Sequence, residues 1–297
     1  MNRYTPRDAG PVPHQHAVVD LHTHTTRSDG VLEPSRLVAE AAAAGVRYLA
    51  LTDHDSLSAY RELSAMPAAT GVGLELIVGV EINALTSGFD SLDRELHILG
   101  YGMDAEDDAF EETLAAQRAQ RRTRFFATVD RLREIGLPID DQVAALDTTR
   151  DDALGRPTIA RALIRAGFVE SVEDAFGRLL SYGMPGYVPR GGLGPVEAIQ
   201  QIRRAGGIPV LAHFAQALER LGLLGELVEV GLGGLETFHA SFDEATRVSV
   251  GTAARTLALV QTGGTDYHGD LGPYAESISE LVIEPVVEDF ARSMVRQ

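Results

Sequence analysis

Cysteine and lysine are both missing from this chain of 297 residues. The first absence removes a disulfide framework, any thiolate-bound zinc or iron–sulfur site, and a thiol nucleophile, so a metal would have to be held by nitrogen and oxygen. The second makes all 26 basic residues arginine and excludes a Schiff-base lysine mechanism. Long apolar runs are also missing: no stretch approaches the ~18 to 20 uncharged apolar residues of a membrane span. The opening segment MNRYTPRDAGPVPHQHA lacks the apolar core of a signal peptide. A cytoplasmic location, with no membrane partner, is the expectation. Positive charge is scarce too. A formal net charge of −17 argues against broad affinity for phosphate backbones, so no stable nucleic-acid partner is expected, although a local basic site remains open.

What is present describes an ordinary globular protein, with 44% hydrophobic and 23% charged residues. The length suits one large α/β domain or a domain carrying an insertion. Apolar runs at 18–24, 46–52, 74–80 and 95–101 read as strands, with helical patterns at 34–44 and from Ser56 onward. Pro34 and Gly45 supply start and stop signals for the first helix. From Asp104 to about Gly206 the texture becomes helical, with Phe110, Leu114, Phe125, Val129 and Leu132 spaced for one face. Strand-like runs resume at 208–212, 234–238 and 257–262. Such alternation predicts a parallel sheet or barrel whose ligands gather at the carboxyl ends of the strands. The division expected is a flexible tail at 1–15, a barrel from 16–103 and 206–297, and a helical subdomain at 104–205 capping the substrate.

The polar chemistry sits where the strand-like runs end. In VVDLHTHTTRSDG, His22 and His24 share a strand face, and Asp29 follows in a turn. LALTDHDS places His54 between two aspartates, either of which could orient its second ring nitrogen. LIVGVEIN ends near Glu81, ELHILGYG carries His97, IPVLAHF carries His213, and TGGTDYHGD carries Asp266 and His268. Any one histidine at a strand end is more often structural than a ligand. Six such ends in one chain form a pattern, because the strand ends of a barrel surround a single rim. Imidazoles and carboxylates without thiolates suit manganese, iron or zinc.

The order HxH…D, TDH, GVE, HxLG, AH and GxDxHG, spanning residues 18–103 and about 206–285, closely resembles the PHP (polymerase and histidinol phosphatase) superfamily of metal-dependent phosphoesterases. The resemblance implies a distorted (β/α)7 barrel with an inserted helical subdomain. It also implies three divalent cations, with manganese favoured over iron or zinc. One would be held by His22, His24, Glu81 and Asp266. Glu81 would bridge to a second held by His97 and His213, and Asp29, His54 and His268 would hold the third. Glu81, His213 and Asp266 would then be catalytic, supporting in-line attack on phosphorus by a metal-bridging hydroxide. Six positive charges set against the carboxylates of Asp29, Glu81 and Asp266 leave a positive pocket suited to a phosphate dianion.

The segment LGRPTIARALIRAGFVESVEDAF with GYVP resembles the branch that dephosphorylates nucleotides, including 3',5'-bisphosphates and AMP, or trims 5'-phosphorylated RNA. The expected substrate is therefore a small nucleotide or phosphate ester, with short 5'-phosphorylated RNA as the alternative. A histidinol-phosphate-type phosphatase and a non-catalytic metal-binding module are further alternatives. Among substrate-binding candidates Arg156 comes first, followed by Arg118 and Arg122 on one helix face, and His239. Two positions depart from the branch: Thr158 stands where histidine is frequent after GRP, and Phe242 where relatives commonly show a second histidine. His14 and His16 fall in the polar N-terminal tail and read as disordered, not as ligands.

Overall fold

The structure, a computed structural model, describes residues 17–66, 73–86, 95–146, 154–270 and 272–295. Among these, seven strands form one sheet in chain order: β1 (Val19–Asp20), β2 (Tyr48–Leu51), β3 (Glu75–Leu85), β4 (Glu95–Tyr101), β5 (Ile208–Leu211), β6 (Gly234–His239) and β7 (Val260–Gly264). The two ends meet. Leu21 N–H donates to Gly263 O at 3.1 Å, Asp266 N–H to His22 O at 2.8 Å and His24 N–H to Tyr267 O at 2.9 Å, so the sheet closes into a barrel. Most of the seam lies beyond the two residues of β1, which is why the apolar run 18–24 yields so short a regular strand.

The sheet is not uniformly parallel. β4 runs antiparallel to both β3 and β5, while the remaining neighbours are parallel. Helices α1 (Pro34–Ala43) and α2 (Ser58–Ser64) connect the first three strands, and no described helix lies between β3 and β4. A chain that returns without a crossover helix pairs antiparallel. The consequence falls on His97, which lies near the start of its strand and not at its end. Because β4 is reversed, that start occupies the rim where its neighbours finish.

Inside the barrel Val19, Leu21, Ala50, Ile77, Leu99 and Val210 are buried together with Val287 and Phe290 of α11 (Pro285–Val295). Helix α11 packs on β1, β2, β3 and β7 and stops the far end with apolar side chains. The opposite mouth is left to polar groups. Helices α8 (Leu221–Glu229), α9 (Glu244–Thr256) and α10 (Tyr274–Glu280) cover the outside of the sheet.

Between β4 and β5 come α3 (Asp108–Glu134), α4 (Asp140–Ala144), α5 (Arg156–Arg165), α6 (Val172–Ala175) running into a π-helical turn (Phe176–Leu180), and α7 (Pro195–Arg204). Asp107 caps α3 by accepting from Phe110 N–H at 3.0 Å, and Arg131 and Arg133 complement the dipole at its other end. Packing divides this stretch. Phe110 and Leu114 of α3 and Ile199 and Ile202 of α7 join the barrel's outer core. Phe125, Leu132, Ile139, Leu154, Ile159 and Leu163 form a separate apolar core above the mouth.

The seam is tight at Gly264, where a Cβ would collide with the backbone nitrogen and Cβ of His22 and stand 2.9 Å from Asp20 Oδ1. Gly264→Ala is expected to lower stability by about 1–3 kcal/mol, the usual cost of forcing atoms into a packed site. Urea unfolding reads it, and an unchanged midpoint would contradict the closed seam.

Candidate metal centre

All nine residues of the expected ligand set meet at the polar mouth. Glu81, 1% exposed, lies at its centre. Its Oε1 is 2.7 Å from His97 Nδ1 and 3.4 Å from His213 Nε2. Its Oε2 is 3.0 Å from His54 Nδ1, 3.2 Å from His24 Nε2 and 3.4 Å from His22 Nε2. Asp266 Oδ1 stands 3.3 Å from His22 Nε2 and 3.2 Å from His24 Nε2. Asp29 lies 3.5 Å from His54 and 3.2 Å from His268. Among the described residues four clusters have ligand-compatible spacing: His22, His24 and Asp266; Glu81, His97 and His213; His24, Asp29, His54 and His268; and His22, Glu236 and His239, the last outside the expected ligand set apart from His22.

Local backbone aims these groups. Asp55, His213 and Asp266 have φ of 53°, 31° and 54°, so three of the four described non-glycine residues with positive φ lie at this mouth. That conformation costs energy for a residue bearing a Cβ and persists where surrounding structure imposes it.

Whether cations fit can be judged from the nitrogens themselves. His22 Nε2, His24 Nε2 and His54 Nδ1 are buried, have no hydrogen-bond partner, and point at Glu81. Buried ring nitrogens without partners are expensive, and a shared cation satisfies them once their protons are expelled. The donor set therefore fits divalent metal ions. Burial depresses the His54 imidazole well below its ordinary range, which Asp29 and Glu81 do not offset. Burial alone would raise Glu81 and Asp29. Surrounding imidazoles, led by His54 in each case, outweigh it and hold both carboxyls well below their ordinary range. His24 goes the other way: burial lowers it, yet Asp266, Glu81 and Asp29 push it up to about 10.

A cavity of about 500 Å³ opens over this floor. Four of its wall residues are arginines. Arg121 and Arg190 reach Asp55 Oδ2 at 2.9 and 3.2 Å, while Arg124 and Arg156 take the two oxygens of Glu95 at 3.0 and 2.9 Å. Four guanidiniums thus face two carboxylates, and Arg124 Nη2 and Arg190 Nε are buried without partners. Burial, with Arg121 and Arg124 nearby, brings Arg190 down to about 10 despite Asp55 and Glu95. Beside them lies an apolar wall of Phe125, Leu154, Pro157, Ile159 and Phe176, with the Arg156 guanidinium 5.4 Å over the Phe176 ring.

The substrate candidates separate. Arg156 and His239 line the cavity. His239 Nδ1 accepts from Ser241 N–H at 3.2 Å, and its Nε2 lies 3.4 Å from Asp266 Oδ2. Arg118 is not among the lining residues; it bonds Glu111 at 2.6 Å and the Asp55 carbonyl at 2.9 Å. Arg122 is also outside the lining and lies 5.1 Å over Phe126. The face of α3 turned to the cavity carries Arg121, Arg124, Phe125 and Thr128, and Arg122 lies one step of about 100° from Arg121. Phe242 is buried in the core against His239. His14 and His16 lie outside the described residues.

Sequence reading passed over Asn83, Glu95, Arg190 and Glu236, and it offered Asp55 as an orienter of His54, whereas Asp55 pairs with Arg121 and Arg190 and the second nitrogen of His54 faces Asp29 at 3.5 Å. Asn83 Nδ2 sits 2.7 Å from His97 Nε2. Glu236 is a fully buried acid following the apolar Leu235 in β6, and that placement was its only signal in the sequence.

Comparison with known proteins agrees with the geometry. The profile of the PHP domain matches residues 20–180. A 5'-3' exoribonuclease of Haemophilus influenzae is 34% identical over 285 residues, covering 91% of this chain and 98% of its own length. A 3',5'-nucleoside bisphosphate phosphatase of Chromobacterium violaceum is 30% identical over 258 residues, covering 85% and 87%. A solved structure from Bifidobacterium adolescentis, assigned as a metal-dependent phosphoesterase, superposes with a TM-score of 0.79 at 31% identity over 94% of this chain and 95% of that one.

The neighbouring carboxylates raise His22, His24, His213 and His268, so the metal-free centre holds protons that ligation must expel. Metal uptake is expected to release protons, and affinity to fall as pH drops below about 10, the value to which His24 is raised. Calorimetric titration in buffers of different ionisation enthalpy measures both. A pH-independent affinity with no proton release would contradict this electrostatic picture.

Proposed function

This chain belongs to the PHP domain family and is a metal-dependent phosphoesterase, and from that premise we propose that its substrate is a small nucleotide carrying two phosphate groups, of the 3',5'-bisphosphate kind. The observation that carries the reading is the pairing, in one cavity, of the imidazole–carboxylate floor with buried guanidinium nitrogens that have no partner. Among the described residues no group satisfies Arg124 Nη2 or Arg190 Nε. A second anion would.

His22, His24, Glu81 and Asp266, then Glu81, His97 and His213, then Asp29, His54 and His268 would hold the divalent ions, three in number and with manganese favoured. Such ions supply Lewis acidity toward water and phosphoryl oxygens. The remaining work falls to the chain. Arg124, Arg156 and Arg190 grip the phosphate that is not cleaved and so fix the ester over the floor. The wall of Phe125, Pro157 and Phe176 takes the apolar faces of the nucleoside and excludes water beside the reacting group. His239 is tied to Ser241 through Nδ1, 2.7 Å from its Oγ and 3.2 Å from its backbone nitrogen, which sets the ring beside Asp266 at the cavity wall.

A second reading, stepwise trimming of 5'-phosphorylated RNA, draws support from the exoribonuclease relative and from one local feature. Arg124 lies 5.5 Å over the Tyr187 ring, which meets the exposed Tyr182 at 5.3 Å, a chain of flat groups on which further bases could stack. A 5'-labelled oligonucleotide separates the readings: ladders of mononucleotides favour trimming, and loss of terminal phosphate alone favours the phosphatase.

Manganese-loaded protein is expected to release phosphate from 3',5'-bisphosphates faster than from AMP, and a panel of phosphoesters with no turnover would refute the assignment. Asp266→Asn should reduce turnover on the order of a thousand-fold while preserving the fold, from several kcal/mol of lost charge stabilisation. Arg156→Ala should raise KM for the bisphosphate about ten-fold, the equivalent of one charged hydrogen bond, with little change for a monophosphate. Equal effects on both substrates would remove Arg156 from the second-anion site.

A further inference from the structure

We infer that Glu236 is a positioning residue that sets two ligands belonging to different metal clusters at once. The inference rests on the reading that the imidazole–carboxylate floor holds divalent cations. Glu236 is buried, and each of its oxygens is used: Oε1 accepts from His22 Nδ1–H at 2.9 Å and Oε2 accepts from the backbone N–H of His213 at 2.7 Å. The first bond fixes the His22 tautomer. With the proton on Nδ1, the lone pair of Nε2 faces Glu81 and Asp266, at 3.4 and 3.3 Å, and this is one of the buried nitrogens lacking any partner.

The second bond acts on conformation. His213 holds φ of 31°, a region unfavourable to a residue with a Cβ, and its ring reaches His97 Nδ1 at 3.1 Å and Glu81 Oε1 at 3.4 Å. Satisfying the buried N–H in that conformation holds the ring at the second cluster. A single carboxylate thereby couples the geometry of His22 to that of His213.

Strand β6 shows how the residue comes to face the mouth. Glu236 and His239 are three positions apart, which in a regular strand would point them to opposite faces. The register slips between Glu236 and Phe238: Glu236 pairs with Thr262 and Phe238 with Gly263, so the strand carries one extra residue. The resulting bulge turns both Glu236 and His239 inward. Side chains that re-aim at a bulge are typical of sites where position matters more than ladder regularity.

An amide cannot replace this carboxylate. Glutamine matches its shape but has one acceptor oxygen and one donor nitrogen, while the site presents two donors. Placed against His213 N–H, the donor nitrogen faces another donor. Placed against His22, it forces the ring proton onto Nε2 and blocks the lone pair aimed at the metal.

The test compares wild type, Glu236→Gln and Glu236→Asp for manganese affinity and bound manganese after dialysis, alongside thermal melting of each protein in chelator. Glu236→Gln is expected to melt close to wild type yet to bind manganese about ten-fold or more weakly, as for other groups that orient ligand histidines. Glu236→Asp, with both acceptors on a shorter arm, should recover part of that loss. Wild-type manganese affinity in folded Glu236→Gln would overturn the inference. If Glu236→Gln does not fold, Glu236→Asp decides: folded and metal-retaining supports the role, and any other result overturns it. Failure of wild type itself to bind manganese would instead strike the parent reading, so the two are distinguishable.

Discussion

One buried carboxylate has five imidazoles within 3.4 Å, and the rest of this protein is arranged around keeping Glu81 there. A charge removed from water is tolerable only when paired, and rings packed this closely must share either protons or cations with the acid between them. The barrel makes the gathering achievable. Residues from β3, β4 and β6 and from the segments after β1, β2, β5 and β7 reach one point because their strands share one rim, and the reversed β4 delivers His97 to Glu81 across the diagonal of an antiparallel pair. Closure at Gly264, positive φ at Asp55, His213 and Asp266, and the bulge in β6 are local concessions to that same point.

Charge is distributed on two scales. The whole chain is strongly acidic, whereas the cavity holds four arginines against Asp55 and Glu95. An acidic exterior disfavours polyanions at long range. Along the wall above the floor, four guanidiniums against those two carboxylates favour a compact anionic ligand once inside. The two scales together point toward small phosphorylated substrates, and any RNA that is trimmed here would be read through its terminal nucleotide and a short stacked stretch.

Much of the floor was legible because its chemistry is local: a histidine or acid ending an apolar run marks a strand meeting a polar mouth, and His22, His24, His54, His213, Asp266 and His268 all follow that pattern. His97 obeyed the family resemblance but not the stated geometry, since nothing in ELHILGYG reveals that its strand runs backward. Of the arginines named from the sequence, Arg156 lines the cavity, while Arg118 and Arg122 stand outside the lining for a physical reason. Hydrophobic periodicity finds the apolar face of α3, and the buried polar face with Gln117, Arg121 and Arg124 looks in sequence like any solvated one. Glu236 was hidden by the bulge, because its odd spacing from His239 denies a shared face under regular strand alternation.

The central claim is that the Glu81 cage exists to hold divalent cations. Anomalous diffraction from crystals grown with manganese tests it most directly. The account predicts anomalous peaks flanking Glu81, one beside His97 and His213 and one beside His22, His24 and Asp266. A map in which manganese binds elsewhere, or nowhere, while those imidazoles and carboxylates keep their present contacts would contradict it.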